Sequence, residues 1–228
     1  MTKRGIVAIA VIVIVAVVLI LVFTLNRSSP EAASEPVYTI AIDAGHGGRD
    51  PGAHAEDVLE KDINLAIAQK VADLAALGPN LEPVLIRTLD IFISLEDRIA
   101  KAEEAGAELY VTVHVNSYSG PDPSGVETIV DDTRTMDDEA WVLAELVQDA
   151  VVEATGARDR GTRTQESYLQ RTEIPAISVE TGYVTNPEER AKLVDPAYQE
   201  RIAEGILTGI RRFIEWKYPP AASESSGA

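Results

Sequence analysis

The 228-residue chain contains no cysteine. A disulfide framework, a thiolate metal site, a cysteine nucleophile and a lipoprotein anchor are thereby excluded. Histidine is scarce too: imidazole chemistry rests on His46, His54 and His114. Positive charge is in deficit, with 20 Lys and Arg against 37 Asp and Glu and a net charge of −17. Lys3, Arg4 and Arg27 lie in the first thirty residues, which hold no acid, so the remainder is more acidic still. Such a surface repels nucleic acid and anionic lipid, which excludes nucleic acid as a partner. Three catalytic signatures are missing as well. There is no HExxH of the common zinc peptidases, no G-x-S-x-G of serine hydrolases, and no GK[ST] of a phosphate-binding loop.

What is present begins with an apolar run, Gly5 to Leu25. At ~1.5 Å per residue it is long enough to cross ~30 Å of hydrocarbon as one helix. A cleaved signal peptide has a shorter core of roughly 7–15 residues, so an uncleaved anchor is the preferred reading, although "EAAS" at Glu31 to Ser34 offers a weak cleavage site. Lys3 and Arg4 keep the amino end in the cytoplasm and export the rest. The expected organisation is a cytoplasmic end at 1–4, a transmembrane signal anchor at 5–25, a polar linker at 26–36, one domain at 37–217 and a disordered tail at 218–228. The expected location is the membrane, with the domain extracytoplasmic in the cell envelope.

The domain alternates strand-like and helix-like segments. "VYTIAIDAG", "EPVLIRT", "ELYVTVHV", "GVETIV" and "IPAISVE" suit strands. Helices are expected over Glu60 to Leu77, over Ser94 to Gly106 with Ser94 as cap and Gly106 as stop, over Asp138 to Thr155, and over Ala197 to Trp216. This alternation predicts an α/β fold with a mixed, mostly parallel central sheet flanked by helices.

In open α/β sheets, ligands bind beyond the carboxyl ends of the strands. His46 follows the first strand, His114 ends the third, Glu180 ends "AISV", and Glu60 opens the first helix on the same edge. Two imidazoles and one carboxylate, with a fourth position left to water, form a catalytic zinc ligand set. A separate carboxylate then serves for proton transfer. Placement alone leaves both a metal site and a set of ordinary strand-end residues open.

The ordered segments "IAIDAGHGGRDPGA", "LEKDINLAIAQKVADL", "IRTLDIFISLEDRIAKA", "LYVTVHVNS", "DRGTRTQ" and "PAISVETGYVTNPEE" resemble the zinc-dependent N-acetylmuramoyl-L-alanine amidases of bacterial cell-wall hydrolysis. The resemblance runs from about Val37 to Ile214. It implies that His46, Glu60 and His114 hold one zinc ion per chain and that Glu180 is catalytic. It also implies a peptidoglycan substrate, cut at the amide between N-acetylmuramic acid and the L-alanine of the stem peptide, during wall remodelling, separation, sporulation or germination. Glu180 would take a proton from the attacking water and pass it to the departing amine. Asn116 is expected to line the substrate groove or to hold the strand end. Asp43 is expected to orient a ligating histidine or to form the turn, Arg87 to pair with an acid, and His54 to stand by. The segments "TVHVNS" and "ETGYVTN" depart from the usual family wording but keep the required His and Glu. Only 46 residues separate His114 from Gly161, too few for the inhibitory helical insertion some relatives carry, so an open site is expected. The protein is expected to be a monomer, with any activator or division or sporulation partner unidentified. The competing readings are an idle relative that only binds peptidoglycan and a zinc hydrolase of another specificity.

Overall fold

The computed structural model describes residues 16–17 and 36–219. All of the anchor expected at 5–25 except residues 16–17, nearly all of the linker and most of the tail lie outside the described residues. Among the described residues, no helix is long and apolar enough to cross a membrane.

Among the described residues eight strands form, β1 (Tyr38–Ala44), β2 (His54–Ala55), β3 (Val58–Leu59), β4 (Leu81–Leu85), β5 (Leu109–Asn116), β6 (Val126–Asp131), β7 (Asp159–Gln165) and β8 (Ala176–Tyr183). The helices are α1 (Glu60–Ala76), α2 (Leu95–Glu104), α3 (Glu139–Thr155), α4 (Pro187–Leu193) and α5 (Pro196–Lys217), with a 3₁₀ turn at Tyr168–Arg171. Six strands make one sheet in the order β4-β1-β5-β8-β6-β7, while β2 and β3 form a small hairpin. All neighbours in the large sheet are parallel except β6 and β8. The expected mixed, mostly parallel sheet is borne out.

The expected helices form, one of them with the Ser94 cap read from the sequence. Ser94 accepts from the Asp97 amide and Asp138 from the Ala140 amide, satisfying donors that a helix leaves unpaired at its start. Five pieces were not foreseen: β2, β3, β7, the 3₁₀ turn and α4. "DRGTRTQ" is polar and largely exposed, as an edge strand allows, so it lacks the apolar alternation that marks a strand.

Strand parity divides the sheet into two faces. Ile40, Ile42 and Ala44 of β1, Val111, Val113 and Val115 of β5, and Ile177 and Val179 of β8 enter the larger core with α1, α3 and α5. Residues of the opposite parity, such as Ala41, Tyr110 and Ala176, pack with Ile99 and Ala102 of α2 in a smaller core. Asp43, His114 and Glu180 share that second parity. They therefore belong to the thinly covered face, near the carboxyl ends of β1, β5 and β8.

Candidate metal centre and active site

Three segments converge at that edge. His46 lies just past β1 with φ 60°, a left-handed conformation uncommon outside glycine. The hairpin of β2 and β3 turns the chain so that Glu60 opens α1, its amide bonded to the Ala53 carbonyl. His114 stands near the end of β5. One ligand atom from each of His46, Glu60 and His114 lies within 4.8 Å of the others. This group could hold a metal ion.

Glu60 is 3% exposed, and each of its oxygens is held in place. Oε1 lies 2.9 Å from His114 Nδ1 and 3.3 Å from His46 Nε2, and accepts from the Val115 amide and the Asn64 side chain. Oε2 accepts from the Ala53 amide at 2.7 Å. Two glycines make room for this crowding. A Cβ on Gly45 would come within 2.3 Å of the His114 ring. One on Gly52, at φ +67°, would come within 2.5 Å of Glu60 Oε2 and 2.7 Å of His46.

The electrostatics favour a cation. Burial opposes protonation of His46, yet the hydrogen bonds and charges of Glu60 and Asp50 outweigh it and raise its pKa to about 9. His114 is raised as well, its burial overcome chiefly by the hydrogen bond to Glu60. Burial pushes the Glu60 carboxyl up, but hydrogen bonds with His114 and His46 prevail and hold it far below the usual carboxylate range. A buried carboxylate thus draws positive charge onto both flanking imidazoles, as a metal cation would supply.

The carboxylate on the far ring nitrogen of His46 is Asp50, 2.8 Å from Nδ1. The expectation that Asp43 orients a histidine is not met. Parity turns Asp43 towards α2, where it is fully buried. It pairs with Arg98 at 2.6 Å and accepts from Tyr110, Thr112 and Tyr168. Arg87 also differs from expectation. Its guanidinium donates to the carbonyls of Ala44, Gly45, Lys61 and Leu89 and makes no ion pair among the described residues. Arg98 adds bonds to the Ala44 and His46 carbonyls. Two buried arginines thereby clamp the strained turn that carries His46. His54 is exposed in the hairpin, outside the three-residue group.

Glu180 pairs in register with His114 across β5 and β8 and with Glu127 across β6 and β8. Burial, joined by the charges of Glu60 and Glu127, raises its pKa to about 7 against the opposing pull of His114 and Arg163. A carboxyl tuned to that range can both accept and return a proton near neutrality. Glu127, unassigned in the sequence, is 1% exposed. It accepts from Asn116 at 2.5 Å, Arg163 at 2.9 Å and the Tyr183 hydroxyl at 3.1 Å. Its one sequence signal was a charge within the apolar strand "GVETIV". Asn116 is half-buried at the end of β5, its amide committed to Glu127. Beside the two histidines a cavity of about 340 Å³ opens, walled by Phe92, Ile93, Leu95 and Tyr168.

Residues 40–212 match the family model described as N-acetylmuramoyl-L-alanine amidase. The chain belongs to that amidase family. It is 37% identical over 187 residues to the uncharacterised protein YqiI of Bacillus subtilis, covering 80% of this chain and 89% of that one. It is 38% identical over 173 residues to the N-acetylmuramoyl-L-alanine amidase LytC of the same organism, covering 75% of this chain but 34% of LytC. The crystal structure of an N-acetylmuramoyl-L-alanine amidase from Clostridium difficile 630 superposes with a TM-score of 0.77 at 35% identity, covering 80% of this chain and all of that one. Membership places the chain among peptidoglycan hydrolases that cut the amide between N-acetylmuramic acid and L-alanine.

Proposed function

We propose that the chain performs this hydrolysis with one zinc ion held by His46, Glu60 and His114, and with Glu180 as the proton-transfer group. The observation that carries the reading is the convergence of three ligand atoms within 4.8 Å beside a carboxyl in register with His114. Two imidazoles and a carboxylate fit zinc by donor type and by the buried negative charge they surround. When bound, zinc acts as a Lewis acid that polarises the scissile carbonyl and lowers the pKa of water.

The remaining work falls to the chain itself. Asp50 fixes the ring of His46 and raises its basicity, as an outer carboxylate does for a ligating histidine. Arg87 and Arg98 hold the His46 turn through its carbonyls. Glu180, as carboxylate, takes the proton of the attacking water and, once protonated, gives it to the departing amine of L-alanine. The apolar wall of Phe92, Ile93 and Leu95 excludes water from one side of the site, and Asn116 lines the groove near Glu127. The sequence-based anchor at 5–25 would tether the domain outside the membrane, where its substrate lies, with the chain acting as a monomer.

The test is digestion of purified peptidoglycan by the full chain, with mass analysis of the products. Stem peptides with a free L-alanine amino end are expected. They should disappear after chelation and in Glu180→Gln. Cuts within the peptide or between sugars would overturn the reading.

A further inference from the structure

A second cavity, of about 450 Å³, is lined by Tyr118, Asp122, Arg158, Arg160 and Tyr183 among others. It lies at the catalytic edge: β6 runs antiparallel to β8, and β7 runs parallel to β6, so the start of β7 adjoins the carboxyl end of β8. Tyr183 of its wall is the register partner of Asn116 and bonds Glu127. Gly125 lets the preceding loop close on this strand, since a Cβ there would come within 2.4 Å of the Arg158 carbonyl and 3.0 Å of the Arg160 side chain. Arg160 stacks over the Tyr183 ring at 5.1 Å and has Glu127 at 3.4 Å. Arg158 makes no ion pair among the described residues, although Asp122 shares the cavity. Two guanidiniums facing one cavity stand out in a chain with 37 acids and 20 bases.

The direction of the reaction says what reaches them. The departing amine must lie at Glu180, so the stem peptide leaves on the Glu180 side of the centre. The cavity with Phe92 and Ile93 is lined by His46 and His114 but not by Glu180, and it falls to the muramoyl part. Glu180 lies opposite His114 and Tyr183 opposite Asn116, so the bulged end of β8 advances by two residues of β5, about 7 Å along the sheet. An extended dipeptide also spans about 7 Å, and the arginine side chains reach in from the start of β7.

We propose that Arg158, backed by Arg160, forms a subsite for the free α-carboxylate of the second stem-peptide residue. The proposal rests on the amidase reading. It assigns the chain a preference for stem peptides whose second residue is D-glutamate over those in which that carboxylate is amidated.

Two synthetic muramoyl pentapeptides test it, identical except that the second residue is D-glutamate or D-isoglutamine. Both carry L-lysine third and an amidated carboxyl end, so the second residue holds the one peptide carboxylate in question. With the detergent-solubilised full chain, kcat/KM for the free acid is expected to exceed that for the amide about 10-fold, the difference lying in KM, as for a partly solvated charge-assisted contact. Arg158→Gln should bring the ratio close to one, and Arg158→Lys should restore part of it. No preference in the wild type, or an unchanged ratio in Arg158→Gln, overturns the subsite. If neither compound is hydrolysed, the amidase reading fails, and titration calorimetry of the two free pentapeptides decides the subsite separately. Tighter binding of the acid that depends on Arg158 supports it, whereas equal binding overturns it.

Discussion

Glu180→Gln should abolish activity and at the same time stabilise the metal-free protein at neutral pH. The carboxyl of Glu180 moves from 4.5 to about 7 on folding, mainly through burial. At ~1.4 kcal/mol per pKa unit, that displacement corresponds to about 3 kcal/mol. The group is partly exposed at the strand end, so solvent screening reduces the expected effect to about 1–2 kcal/mol. The sign follows from linkage. An acid whose pKa is raised by folding contributes fully below its unfolded value, and that contribution is lost as pH rises through the folded value. Glutamine keeps the neutral form at every pH. The advantage of Glu180→Gln should therefore be absent near pH 4, open between 4.5 and about 7, and stay constant above. Urea unfolding of the full chain in mild detergent and chelator, followed by Trp141 and Trp216 fluorescence, measures it. A variant no more stable than wild type at pH 8, relative to the difference at pH 4, would refute the reasoning.

The acid limb of the rate profile should fall between pH 4.5 and about 7, because Glu180 acts as a base only when ionised and a bound cation draws its pKa below the metal-free value; a limb outside that window counts against this role. His46→Ala should release zinc while His54→Ala retains one ion per chain, read by elemental analysis of the purified proteins. Asp50→Asn should weaken metal affinity by about 10–100-fold in a competitive chelator titration, the usual cost of losing an outer carboxylate. Gly52→Ala should also lose metal, by more than about 10-fold, since its Cβ would press on Glu60 and His46. Retention of wild-type affinity in Gly52→Ala would show that the turn relaxes freely.

Much of the fold was legible because apolar spacing, caps and glycine stops act over a few residues. Ile202, Ile206, Ile210 and Phe213 fall on one buried helical stripe as their spacing requires. The candidate metal-ligand group was legible for a related reason. Polar residues at apolar strand ends are conspicuous, and the ordered motifs add the family. Strand β7 was not legible, because an exposed edge strand needs no apolar face.

The sequence by itself determined most of the element types, the family and the candidacy of His46, Glu60, His114 and Glu180. Tertiary structure decided which partners those residues meet. Strand parity sent Asp43 to Arg98 and left Asp50 to hold His46, while strand order set Glu127 against Glu180. Arg87 shows the same division. Its charge suggested an acidic partner, but the fold buries it among the carbonyls of Ala44 and Gly45. Local pattern fixes what a segment becomes. Pairings across forty or more residues depend on sheet order and register, which no short window of sequence contains.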